Sequence, residues 1–310
     1  IETVKSTFIK ISILAVISFS TYFASAAIPE VQTTVSGNLS LKQKLKLLEL
    51  KQTNKTDHFI FDLPVTYNKK VGNWISYFQS KGKSYFRDCL EKSTKYMPLL
   101  QSELKKAGLP TDLAYMVMIE SGFSSHAVSS AQAVGPWQFI ESTGKNYGLK
   151  KHWWLDERRD IKKSTLAAIK YLKDLHSEFG SWYLVAASYN MGEGGLRRQI
   201  KKYRTNDYWQ LVKNGALPQE TQDYVPKILA ALMIAKAPNL YGFRGVETQY
   251  PLQYDVVWAP GGTDLDNLAD YLSVTRKSLK DMNAELVLGY IPKQADGHHI
   301  RIPVGSLATV

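Results

Sequence analysis

The chain has 310 residues, 44% hydrophobic and 22% charged, a balance that excludes a disordered or low-complexity polymer and leaves room for one mid-sized domain and a smaller one. With 39 Lys and Arg against 28 Asp and Glu, the formal net charge is +11; this fits an acidic polymer, nucleic acid or carboxylate-bearing matrix alike, and equally a merely solubilising surface. The one cysteine, Cys89, excludes an internal disulfide and, placed among Tyr85, Phe86 and Leu90, reads as a buried core thiol.

In chain order, residues 1–27 read as an export signal. Lys5 and Lys10 precede an apolar run from Ile11 to Phe23, and Ala24-Ser25-Ala26 is a small-x-small exit. An uncleaved anchor is the alternative, although the run is short for a stable span. Residues 28–85 read as a polar lead-in that packs on the body, with a leucine-heavy run at Leu41, Leu45, Leu47 and Leu48 and an extended stretch through Pro64. Val71, Trp74, Ile75 and Phe78 recur at helical spacing. A helix is expected over 84–106, with a break or kink at Met97-Pro98.

From Leu109 to about Pro238 nearly every stretch reads as helix: Pro110 suits a first helical position, and helices are expected over 164–179, 182–190, 195–203 and 219–236. Past Gly242 the texture changes. An alternating strand over 250–258, a turn at Pro260–Asp264, helices around Leu265–Leu272 and Val274–Met282, and a closing strand at His299–Pro303 predict a strand-helix-helix-strand module over 245–310. The fold class is therefore mainly α, with a small C-terminal α+β module.

Leu113, Met116, Val117 and Glu120 lie at i, i+3, i+4 and i+7, which puts the Glu120 carboxyl on an apolar face just before Ser121-Gly122 ends the helix. Burial there would raise its pKa and keep the proton that a general acid needs; a carboxylate turned to solvent has the same periodicity. Gly135-Pro136-Trp137-Gln138-Phe139 is a turn with an aromatic ring and an amide, suited either to an acetamido sugar or to plain structure. Tyr189 and Asn190 end one helix, and Tyr224 begins another; taken singly, each tyrosine is as well explained by the core. Asp156, Glu157 and Asp160 fall in a charged stretch, 150–163, expected to be solvated surface; Glu141 and Glu193 lie nearer the motifs, and Glu141, just after the Gln138 turn, is sufficiently explained as a helix-start carboxylate. His126, His152 and His176 have no paired spacing, and His298-His299 point apart on a strand, so no metal is expected and the histidines read as surface groups. The pairs Arg197-Arg198 and Lys201-Lys202 read as a solvated helix face, and no basic motif interleaved with aromatics points to nucleic acid.

Taken together, Glu120-Ser121, Gly135-Pro136-Trp137-Gln138, Ser188-Tyr189-Asn190 and Gln222-Asp223-Tyr224-Val225-Pro226 resemble, in order and spacing, the motifs of the lysozyme-like lytic transglycosylases. Phe61-Asp62-Leu63-Pro64-Val65 and Gly108-Leu109-Pro110-Thr111-Asp112-Leu113 look like the membrane-bound murein transglycosylase D subfamily. Ser188 stands where that family usually has alanine, and no cysteine follows the exit pattern to carry a lipid. The resemblance implies a lysozyme-like (SLT) helical domain over 86–244, no cofactor, peptidoglycan glycan strands as substrate, and an exported enzyme of the bacterial envelope. It implies Glu120 as acid and base, Tyr189 and Tyr224 flanking it, Ser121, Gln138 and Asn190 lining the sugar subsites, and Trp137 among the substrate-binding residues, shaping the groove rather than doing chemistry. The C-terminal module is similar, in element order and length, to a degenerate LysM-type glycan binder. A goose-type hydrolase and a non-catalytic wall binder are the alternatives.

Overall fold

In a computed structural model of the chain, which describes residues 61–308, the helical periodicities appear as a layered α-helical body. The signal-like segment and the leucine run at Leu41–Leu48 lie outside the described residues. Helix α1 (Lys69–Gln79) starts at Asn68, whose Oδ1 accepts from the Val71 N–H at 3.2 Å, and buries Val71, Ile75 and Phe78. Helix α2 (Lys83–Lys106) runs on through Pro98 without the expected break. A missing N–H at one position removes a single ladder bond, while Met97, Leu100 and Leu104 stay buried on either side of it.

Pro110 sits one residue earlier than its sequence reading, ahead of a 3-10 turn, Thr111–Ala114, that leads into α3 (Tyr115–Ser121). The lead-in supplies the cap for this turn. Asp62 accepts from Thr111 N, Thr111 Oγ1 and Asp112 N at 2.5, 2.7 and 2.9 Å, and Asp112 Oδ2 accepts from Asp62 N at 2.9 Å. Asp112 itself is fully buried and is neutralised by Lys236 at 2.6 Å. Two sequence stretches 50 residues apart thereby fix where α3 begins.

The body continues with α4 (Glu141–Asn146), α5 (Ile161–Phe179), α6 (Trp182–Met191), α7 (Glu193–Tyr203), α8 (Tyr208–Lys213) and α9 (Gln219–Lys236). Helix α5 starts three residues before its expected position because Asp160 caps it, accepting from Lys162 N and Lys163 N at 2.9 and 2.8 Å. Helix α9 is the centrepiece, packing on α1, α3 and α6. It also contains a proline, Pro226, whose missing N–H would leave the Gln222 carbonyl unpaired. The Tyr208 hydroxyl from α8 donates to the Thr221 and Gln222 carbonyls, each at 3.0 Å, so the helix passes through Pro226 with that acceptor satisfied.

At the C-terminus, β1 (Asp255–Pro260) pairs antiparallel with β2 (Gly297–Ile302), Asp255 opposite Ile302 and Pro260 opposite Gly297. Helices α10 (Leu265–Tyr271) and α11 (Arg276–Met282) lie between them in sequence. The strand-helix-helix-strand order is as expected, with β1 starting five residues later than the alternating run. A second core forms here from Ala259, Leu265, Ala269, Leu279, Leu286, Ile291, Ile300 and Ile302, joined by Leu155 from the body.

That contribution corrects the reading of 150–163. Asp156, Glu157 and Asp160 are buried rather than solvated. Each is paired: Asp156 with Arg158 at 2.7 Å, Glu157 with Lys163 at 2.6 Å, and Asp160 with Arg301, which also holds Glu285 at 2.8 Å. His298 is likewise buried, against Trp154 at 6.0 Å between ring centres, and is not the surface group its sequence context implied. Among the described residues no helix is long and apolar enough to cross a membrane.

Candidate active site

Helix α3 delivers Glu120 in its last turn. Leu113, Met116 and Val117 face the core at 2% exposure or less, and Gly122, at φ +56°, ends the helix immediately afterwards. The residue is half-buried, and its carboxyl is crowded by protein. Burial pushes its pKa up to about 7; the Tyr224 hydrogen bond pulls it down, the charge of Glu220 pushes it up, and Lys227 pulls it down. Tyr224, from the second turn of α9, donates its hydroxyl to Glu120 Oε1. Both Tyr224 and Tyr189 have pKa values well above the ordinary tyrosine range, chiefly through burial and then through the Glu120 charge, so both act as neutral donors.

The Gly135–Phe139 turn closes against the end of α3. The Ser121 hydroxyl donates to the Pro136 carbonyl at 2.8 Å, and the Tyr189 hydroxyl donates to the Trp137 carbonyl at 2.7 Å. Tyr189 therefore spans from Glu120's surroundings to the turn, and its hydrogen bond goes to the backbone there. Gly135 is required at its place: it has φ +81°, and a Cβ would fall 1.9 Å from the Arg158 carbonyl oxygen.

The structure places the ring and the amide of this turn as follows. Trp137 is fully buried, its indole N–H donating to Thr165 Oγ1 at 2.9 Å; it offers no face to a sugar and shapes the site from beneath. Gln138 has only part of its amide free. Its Nε2 is engaged inside the turn, with the Gly135 carbonyl at 2.8 Å and the Ala127 carbonyl at 3.3 Å, which leaves Oε1 for a ligand donor.

Asn190, at the end of α6, is fixed by the first turn of α9: Thr221 Oγ1 donates to its Oδ1 at 2.7 Å, and its Nδ2 donates to Glu220 Oε1 at 3.3 Å. Glu220 and Lys227 were not singled out from the sequence. The signal was there, since Glu220, Tyr224 and Lys227 lie at i, i+4 and i+7 and share one face of α9. The other nearby carboxylates are engaged elsewhere: Glu141 with Lys151 at 2.5 Å, Glu193 with the Tyr171 hydroxyl at 3.0 Å.

Residues 98–212 match the family described as Transglycosylase SLT domain. Glu120, the Gly135–Phe139 turn, Tyr189 and Asn190 fall inside the matched stretch, and Tyr224 follows it on α9. The chain is 37% identical over 209 residues to membrane-bound lytic murein transglycosylase D of Escherichia coli, covering 66% of this chain and 45% of that protein. It is 27% identical over 164 residues to membrane-bound lytic murein transglycosylase C of Haemophilus ducreyi, covering 48% of this chain and 43% of that protein. The chain thus spans less than half the length of these curated relatives. A solved lytic transglycosylase Slt from Pseudomonas aeruginosa aligns with a TM-score of 0.38 and 23% identity over 48% of this chain and 25% of that one, a likeness too slight to bear on the fold.

Proposed function

We propose that the chain is a peptidoglycan lytic transglycosylase in which Glu120 serves first as acid and then as base. The observation that carries this reading is a half-buried carboxyl with a pKa near 7, held by a neutral tyrosine, inside the stretch that matches the Transglycosylase SLT domain family. In the reaction, Glu120 gives its proton to the oxygen linking N-acetylmuramic acid to N-acetylglucosamine, and the bond from that oxygen to the muramic C1 breaks. The acetamido carbonyl of the substrate stabilises the cationic carbon. The Glu120 carboxylate then takes the proton of the muramic C6 hydroxyl, whose oxygen closes on C1 to give a 1,6-anhydro ring. No water enters, because the internal hydroxyl acts at high effective concentration.

Tyr224 orients Glu120, and Tyr189 holds the turn that faces it. Ser121, Gln138 and Asn190 line the sugar subsites, with Trp137 as their buried support. The catalytic body spans 86–244. The 245–310 module is a LysM-like glycan binder that raises the local concentration of enzyme on an insoluble polymer. The basic balance of the chain, the signal-like start and the membrane-bound naming of its relatives support work in the cell envelope.

One observation favours a second reading. Glu220 is a second, exposed carboxylate whose charge reaches Glu120, and two carboxylates suit a hydrolase that activates water, as in inverting glycosidases. Digestion of purified sacculi tests catalysis by Glu120 in either case. Glu120→Gln keeps the shape of the site and is expected to lower muropeptide release by at least about a thousandfold; undiminished release would show that a group other than Glu120 is the catalyst and would overturn this mechanism.

A further inference from the structure

Trp153 is unusual in its exposure. Its neighbour Trp154 packs into the second core, while the Trp153 indole stays 63% exposed. It is not on a loose loop. His152 N donates to the Leu155 carbonyl at 2.7 Å, Val287 N to the Trp154 carbonyl at 3.0 Å, and Leu155 pairs with Leu286 as an antiparallel bridge. The indole rests edge-to-face against Tyr290 of the C-terminal module, ring centres 6.4 Å apart. A large apolar ring carried on a backbone fixed by these bonds is a stacking surface that needs little backbone ordering to be engaged.

The chain neighbour of Trp153, His152, lines a groove of about 620 Å³ together with Lys145, Lys150, Lys151 and the carboxylate of Glu141. Lys151 is paired with Glu141, whereas Lys145 and Lys150 have no carboxylate partner among the described residues. Arg158, in the groove wall, donates to the Phe139 carbonyl at 3.1 Å. The groove therefore lies against the outer side of the same turn that carries Gln138.

We propose that Trp153, backed by Tyr290, and the Lys145/Lys150 groove form a second glycan-binding surface, distinct from the Glu120 site, for a carboxylate-bearing amino-sugar strand. The indole takes the CH face of a pyranose, and the two ammonium groups take the carboxylates. The catalytic body and the C-terminal module each contribute one ring, so the surface exists only while the two are docked. The choice of polymer rests on the wall-enzyme reading; the ring and the charges do not.

The test uses the full chain carrying Glu120→Gln, so that the strand is not consumed, and measures sedimentation with purified sacculi and tryptophan emission on titration with chitohexaose, a neutral probe. Adding Trp153→Ala is expected to weaken sacculus binding by roughly tenfold or more and to remove the emission change, with Trp153→Tyr restoring binding. Adding Lys145→Glu and Lys150→Glu, both on the surface, is expected to weaken binding to sacculi but not to chitohexaose. Unchanged binding in the Trp153→Ala protein overturns the proposal. So does displacement from sacculi by heparin that depends on the lysines alone, which would make the groove a generic polyanion patch. Failure of the catalytic reading shows separately, as muropeptide release that survives Glu120→Gln.

Discussion

Burial and three neighbours set the ionisation of Glu120: burial and Glu220 raise its pKa, Tyr224 and Lys227 lower it, and these directions can be read separately. A general acid must hold its proton, so the activity assigned to Glu120 is present below a pH near 7 and is lost above it. Tyr224 lowers the Glu120 pKa, so Tyr224→Phe is expected to move the alkaline limb of kcat/KM to higher pH while reducing the plateau roughly ten- to hundredfold through lost orientation. Glu220 raises it, so Glu220→Gln, which keeps an acceptor for Asn190, is expected to move the same limb to lower pH. pH–rate profiles of both variants check this; limbs that move together would mean that these side chains do not act through Glu120. The apolar spacing of Leu113, Met116 and Val117 places Glu120 on the core-facing side of α3, but the same spacing fits a carboxylate turned to solvent, and the choice between them lies in the packing around the helix end. The burial of Trp137 was not legible, because a Gly-Pro-Trp turn reads the same whether its ring faces a sugar or Thr165. Glu220 and Lys227 became meaningful only once Tyr224 fixed which face of α9 meets α3.

At the scale of elements, the continuity of α9 depends on a hydroxyl supplied from another helix. Tyr208 donates to the Gln222 carbonyl that Pro226 cannot serve, and the same stretch of α9 carries Glu220, Thr221 and Tyr224. Tyr208→Phe is expected to lower stability by about 1–3 kcal/mol. In a Pro226→Ala background the cost should fall, because the restored N–H can serve Gln222. A double-mutant cycle by urea unfolding checks this, and additive costs would contradict it. Helix existence was legible from period 3.6 almost throughout. Helix starts were less so: α5 begins at Ile161 because of the Asp160 cap, and Pro98 did not interrupt α2 because buried residues on both sides outweigh one lost bond.

Across the whole molecule, a buried charge cluster joins the helical body to the C-terminal module. Arg301, on β2, reaches both Asp160 at the start of α5 and Glu285 after α11. These carboxylates hold the Arg301 pKa above the ordinary arginine value despite burial. Replacing Arg301 by Leu strands two buried carboxylates and is expected to cost about 3–5 kcal/mol, measured as a lowered urea midpoint at neutral pH; an unchanged midpoint would show that the seam is not held there. This seam was illegible in the sequence. A run such as Asp156-Glu157-Arg158-Arg159-Asp160 carries the local signature of surface: Asp156 and Glu157 pair within the stretch, with Arg158 and Lys163, and the interior seam rests on Arg301, which meets Asp160 from the far end of the chain. The same holds for His298, whose burial under Trp154 depends on the module docking.

The central claim is that one carboxyl performs both proton transfers and that the muramic C6 hydroxyl takes the place of water. Mass analysis of the fragments released from purified sacculi in water enriched in heavy oxygen tests it most directly. The account predicts muramic ends lighter by one water than a hydrolysis product and free of the label. Reducing muramic ends carrying heavy oxygen would contradict it, and would assign the second proton transfer to a water activated by another group, with Glu220 the first to examine.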